Sequence, residues 1–141
     1  MESFDNEMRL MFQSKSCNEA LARMTVAAFL TPLNPTLEEL ADTKTAISEA
    51  ATNAIIHGYG EKEGTVELWC ARKGNVVWFH VKDTGNGIAD IKAAMEPMYT
   101  TKPEQERSGM GFSFMEAFTD ELSVESAVGE GTVVKMKKVV G

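Results

Sequence analysis

Met8, Leu10 and Phe12 alternate with Arg9, Met11 and Gln13, a period of two that predicts an opening strand. Asn18 is placed to cap a first helix that carries Ala20, Leu21, Met24, Ala27, Ala28 and Leu30, and Pro32 and Pro35 then interrupt the chain. Thr36 with Glu39 matches a capping box, so a long helix should follow to about His57, with Gly58 as its stop. Ile47, Ala51, Ala54, Ile55 and Gly58 recur along it at helical spacing and should face the core. Residues 65–72 and 76–82 are rich in Val, Trp, Phe and Leu, and Lys73-Gly74-Asn75 between them predicts an antiparallel hairpin. A short helix is predicted near residues 90–95, a loop over the polar stretch Pro97 to Ser108, and a helix from Gly109 to Phe118. Leu122 to Ser126 and Thr132 to Val139 should close the sheet as a second hairpin through Gly129-Glu130-Gly131.

Strands at the start, middle and end, with helices between them, imply an α+β two-layer sandwich whose helices cover one sheet face. The other face should be more polar, or meet a partner. A length of 141 residues fits one domain over the whole chain, 1–141, with a core large enough to need no disulfide.

Composition changes the picture in three places. The net charge of −7 argues against general nucleic-acid binding, so Lys135 to Lys138 reads as the solvated side of a last strand. Two cysteines, Cys17 and Cys70, form no metal set and read as buried free thiols. No apolar run is long enough to cross a bilayer, and the acidic N-terminus lacks a signal pattern, which points to a cytoplasmic protein.

The candidate chemistry lies in three clusters. Glu49 and Asn53 stand four apart on the long helix, one turn apart on one face and outside its core stripe. An Asn side-chain oxygen suits magnesium, which takes few protein ligands when phosphates supply the rest, and Glu49 beside it can accept a proton from an attacking hydroxyl. Asp83-Thr84-Gly85-Asn86-Gly87 ends a strand. Its bare glycines let backbone approach a flat ligand, and its carboxylate can accept a hydrogen bond from an exocyclic amine such as that of adenine, with Ala54 and Ile88 as slot walls. Arg107-Ser108-Gly109-Met110-Gly111 opens a helix, where free N–H groups favour anions. Ser108 adds a hydroxyl and Arg107 a forked donor, and Thr100, Thr101 and Lys102 lie in the loop before it, able to close over a nucleotide. His57, at the helix end, and His80, within a strand, read as structural.

Taken together, Glu49-x-x-x-Asn53, Asp83-x-Gly85-x-Gly87 and Gly109-x-Gly111 resemble the N, G1 and G2 boxes of the GHKL ATPase/kinase superfamily. Glu49 to Tyr59, Tyr99 to Glu104 and Glu106 to Phe112, with Ala22 to Ala27 of the first helix, resemble the anti-sigma F factors of spore-forming bacteria, and the likeness runs from about Asn6 to Lys138. The resemblance implies a Bergerat ATP-binding fold with a mixed sheet, ATP or ADP with Mg2+ as ligands, and a homodimer. It also implies a serine kinase that phosphorylates an anti-anti-sigma factor and whose dimer itself holds a sigma factor inactive, in the control of sporulation transcription. By position it implies Asn53 on magnesium, Asp83 on adenine, Arg107 at the γ-phosphate, Glu49 as catalytic base, Thr132 at the adenine end of the site, and Arg23 as a partner-binding residue. The basic residue that histidine kinases usually carry three positions after the box asparagine is here Ile56, so self-phosphorylation on histidine is not expected. A second reading stays open: a sequestering module whose nucleotide only shapes a sigma-binding surface.

Overall fold

The computed structural model describes residues 3–59, 63–87 and 111–141, with side chains described from residue 114 in the last stretch. Strand β1 (Asn6–Gln13) leads into helix α1 (Asn18–Leu30) and a 3-10 turn at Thr31–Leu33. Helix α2 (Leu37–Asn53) continues as a π-helical segment, Ala54–Tyr59. Strands β2 (Thr65–Lys73) and β3 (Val76–Asp83), helix α3 (Gly111–Phe118), and strands β4 (Glu121–Ala127) and β5 (Gly131–Val139) complete the described chain.

The five strands form one sheet in the order β1-β2-β3-β5-β4. Its four described ladders are all antiparallel, where a mixed sheet was expected. Both predicted hairpins are present, β2–β3 and β4–β5. The predicted short helix near residues 90–95 and the predicted loop from Pro97 to Ser108 lie outside the described residues.

The pleat sorts the side chains. Phe12, Val66, Leu68, Cys70, Val77, Phe79, Val81, Val134 and Met136 are buried beneath the helices with Val26, Leu30, Ile47 and Met115. Each such fully buried large side chain stabilises the fold by roughly 1.5–3 kcal/mol relative to exposure. The opposite face carries Arg9, Glu67, Lys82, Lys135, Lys137, Glu121 and Glu125. Ion pairs cross it between Arg9 and Glu67, Lys135 and Glu125, and Lys137 and Glu121. Trp69 and Trp78 also lie there, half-buried, with the Phe4 ring edge-on to both at 5.6 Å. One face is therefore apolar and helix-covered, the other polar with an aromatic patch.

The capping box forms as predicted. The Glu39 N–H donates to Thr36 Oγ1 at 3.0 Å, and the Thr36 N–H donates to Glu39 Oε1 at 2.9 Å. Ile47, Ala51, Ala54, Ile55 and Gly58 are all buried. The α-helical pattern ends at Asn53, however, and Gly58 does not stop the chain. The wider π turn carries on to Tyr59 and turns Ala54, Ile55, Gly58 and Tyr59 inward together.

Two further expectations change. Cys17, not Asn18, occupies the N-cap of α1, and the Asn18 side chain instead donates to the Gln13 carbonyl at 2.9 Å. The buried face of α1 is Ala22, Val26, Phe29 and Leu30, whereas Leu21 and Met24 are 46% and 57% exposed. Cys70 is buried, and burial pushes its thiol pKa up to about 12, while Cys17 is exposed rather than buried. Among the described residues no helix is long and apolar enough to cross a membrane.

Candidate functional site

The site grows from the end of α2. Glu49 and Asn53 lie on its last two turns, both half-buried and off the fully buried stripe of Ala46, Ile47, Ala50 and Ala51. The chain then enters the π segment, which brings Gly58 directly against the end of β3. The π segment that continues α2 thus meets the second cluster across one seam with the loop after β3. Ala54, expected as a slot wall, is 2% exposed and part of the core at this seam.

Asp83 is the last residue of β3 and only 3% exposed. Its Oδ1 accepts the Gly85 N–H at 2.9 Å, and the backbone N–H of Thr132 also bonds to the carboxylate. Thr132 stands opposite Asp83 in the β3–β5 ladder, and its Oγ1 lies 2.8 Å from Ser126 Oγ. Burial raises the Asp83 carboxyl above its ordinary pKa, and the two backbone donors act against that rise. A carboxylate held this deep and fixed by two backbone donors is the kind of group that reads a ligand's hydrogen-bond donor.

The glycines around it leave no room for side chains. A Cβ on Gly85 would come within 1.9 Å of the Gly58 carbonyl oxygen, and one on Gly87, at φ +75°, within 2.1 Å of the Ala127 carbonyl oxygen. Asn86 closes the turn by donating its N–H to the Gly58 carbonyl at 2.6 Å, and its own carbonyl accepts from Gly129 at 2.8 Å. The loop is thus fastened to the π segment on one side and to the β4–β5 turn on the other.

Tyr59 is a residue the sequence reading passed over as a single side chain. Its hydroxyl donates to the Thr65 carbonyl at 2.6 Å, accepts the Thr84 N–H at 2.8 Å, and lies 3.1 Å from Thr84 Oγ1. The only sequence signal for it is an aromatic hydroxyl directly after the helix-end glycine. His57 lies on the same segment, and its carbonyl accepts weakly from the Asn86 side chain at 3.4 Å. His80 lies on the polar sheet face, its ring 4.5 Å from that of Trp69, and burial together with Lys135 lowers its pKa.

Of the third cluster, Gly111 is the first residue of α3, which packs on α2. Ile88, Thr100, Thr101, Lys102, Arg107, Ser108, Gly109 and Met110 lie outside the described residues. Arg23 is on α1, half-exposed, its Nε 3.3 Å from Glu19 Oε1, and Glu19 also accepts from the Ser48 hydroxyl of α2. Among the described residues no cluster of three or more His, Cys, Asp or Glu could hold a metal. Asn53, half-buried at the end of α2, carries one neutral side-chain oxygen, a donor type that magnesium accepts when phosphate and water supply the rest. The glycines let the loop after β3 pack backbone to backbone on the π segment and the β4–β5 turn, which fixes the Asp83 carboxylate in place.

Residues 12–138 match the model of the histidine kinase-like ATPase domain. The chain is 56% identical over 136 residues to an anti-sigma F factor of Clostridium kluyveri, covering 96% of each chain. It is 53% identical over 138 residues to one of Thermoanaerobacter, covering 98% of this chain and 96% of that one. It is 54% identical over 134 residues to one of Geobacillus kaustophilus, covering 94% and 92%. Among solved structures, the RsbU and RsbW domains of Rv1364c from Mycobacterium tuberculosis superpose with a TM-score of 0.68 at 18% identity, over 96% of this chain and 32% of that one. At that identity the likeness is one of fold.

Proposed function

The chain belongs to the anti-sigma F factor family and carries its histidine kinase-like ATPase domain, and from this premise we propose that it is a Mg-ATP-dependent anti-sigma factor and protein serine kinase. It binds a sigma factor and keeps it from RNA polymerase. It also phosphorylates a serine of an anti-anti-sigma factor and so sets when sporulation transcription begins. It works as a cytoplasmic homodimer, and ATP or ADP decides which partner it holds. The observation that carries the nucleotide reading is the buried Asp83 carboxylate, fixed by Gly85 and Thr132 where the loop after β3 packs on the π segment.

In this reading Asp83 accepts a hydrogen bond from the exocyclic amine of adenine, and Thr132 steadies that carboxylate. Asn53 holds magnesium, which neutralises charge on the triphosphate when bound. Glu49 takes the proton from the acceptor serine hydroxyl as its oxygen forms a bond to the γ-phosphorus and the bond from that phosphorus to the β,γ-bridging oxygen breaks, leaving ADP. Arg107 offsets the charge that develops on the transferring group. Thr100, Thr101, Lys102, Ser108, Gly109, Met110 and Gly111 enclose the phosphates, and Ile88 lines the base slot. Arg23 projects from α1 as a contact for protein partners.

Incubation of the purified protein with γ-labelled ATP and an extract of its host tests the reading. Label is expected on the serine of one small acceptor protein, and a sigma factor should co-purify when ATP is present. Tight ATP binding with a captured sigma factor and no labelled acceptor would leave sequestration alone and remove the kinase.

A further inference from the structure

Gly58 and Tyr59 grip the base-reading end of the site from two directions. A Cβ on Gly58 would stand 2.7 Å from Cγ of Asp83 and 2.8 and 2.9 Å from its two carboxylate oxygens, closer than side chains tolerate. The bare Cα of Gly58 is therefore a wall that the carboxyl group rests against. The Gly58 carbonyl fixes Asn86 from the same position. One residue on, the Tyr59 hydroxyl holds the N–H of Thr84, the residue next to Asp83, and ties it to Thr65 at the start of β2. Tyr59 is itself held, because Gly64 leaves open the space its ring fills.

A carboxylate can swing about its last torsion and accept hydrogen bonds over a wide range of directions. Reading one amine of one base requires that swing to be stopped. Gly85 and Thr132 donate to the carboxylate, and Gly58 blocks its rotation on the side of the π segment. We propose that Gly58 and Tyr59 are the positioning pair that aims the Asp83 carboxylate, and that they set the preference for a 6-amino purine over a 6-oxo purine. The inference rests on the nucleotide reading above and adds to it two residues that act through Asp83 and its neighbour Thr84.

The test is calorimetric titration of the whole chain with Mg-ATP and, separately, Mg-ITP, whose base carries an oxygen in place of the amine. The unsubstituted protein should prefer ATP. Gly58→Ala should cut that preference by about tenfold or more, the size of one lost hydrogen bond to a charged group, with ITP affinity unchanged within about threefold. Tyr59→Phe keeps the ring and removes only the hydroxyl. It should lower the same ratio by a smaller factor, and it serves where Gly58→Ala does not fold. A ratio unchanged in the folded variants, or ATP and ITP affinities that fall in parallel, would overturn the inference and make the pair merely structural. An unsubstituted protein that binds neither nucleotide would instead overturn the nucleotide reading on which the pair's role depends.

Discussion

Asp83 shows how much one residue can be asked to do. Burial raises its carboxyl pKa, so the folded protein keeps the proton to higher pH than the unfolded chain, which titrates near 3.8. Between that value and the raised one the folded state binds more protons, so the group's contribution to stability falls as pH rises through the window. Asp83→Asn removes the charge and keeps the size. The difference in melting temperature, variant minus wild type, should therefore move in the variant's favour as pH rises from about 3.5 to about 7. Calorimetric scans at the two pH values check this, and a difference that stays flat or moves the other way would mean the carboxylate costs the fold nothing. Glu49 poses the complementary question, one of chemistry rather than stability. Glu49→Ala should bind Mg-ATP within about threefold of wild type yet lose at least ~10²-fold in phosphoryl transfer, the range of a missing general base. A variant that transfers at the wild-type rate would take Glu49 out of the mechanism.

Among the elements, α2 carries a structural task at one end and a chemical one at the other. Its N-terminus is closed by Thr36 and Glu39, and the second oxygen of Glu39 accepts the N–H of Gly141 at 2.7 Å, so the cap also ties down the end of the chain. Thr36→Ala should cost about 1 kcal/mol in urea unfolding while leaving ATP affinity unchanged, because Asn53 lies at the opposite end of the helix. An affinity that drops with the cap would show the two ends to be coupled. The cap was legible in the sequence because it is local, four residues wide, with both partners in view. The hairpins were legible for the same reason, since alternation and a glycine turn specify them without help from the rest of the fold. The buried face of α1 was not. Ala, Leu, Met, Val and Phe lie all round that helix, so periodicity alone selects no side, and only the packing of α1 on α2 decides that Val26 is buried and Met24 exposed. The end of α2 was misread because a glycine after a helix has two causes. Gly58 reads as a stop, but it is needed for its bare contact with Asp83, which is 25 residues away and invisible to local pattern. Sheet direction likewise depends on how distant strands meet, and so an antiparallel ladder joins β3 to β5 where the family likeness suggested a mixed sheet.

For the molecule as a whole, the two faces of the sheet divide the labour. The helix side carries the core and, at one end, the seam where the π segment that continues α2 meets the loop after β3. The other side is crossed by ion pairs whose partners are largely solvated, worth little to stability. If the nucleotide binds at the seam, its free energy stabilises the elements that build the seam and is indifferent to the far face. At a free concentration of 100 times Kd, Mg-ATP should stabilise the fold by about 2.7 kcal/mol, which for a domain of this size is a rise in Tm of roughly 5–11 °C. Asp83→Asn should abolish most of that rise. Arg9→Ala, which removes one side of an exposed pair with Glu67 on the far face, should leave it intact. Thermal scans of the three proteins with and without Mg-ATP distinguish the faces directly. A rise that survives Asp83→Asn and disappears with Arg9→Ala would put the nucleotide on the polar face of the sheet and take it away from the seam where Gly58, Asp83 and Gly85 pack together.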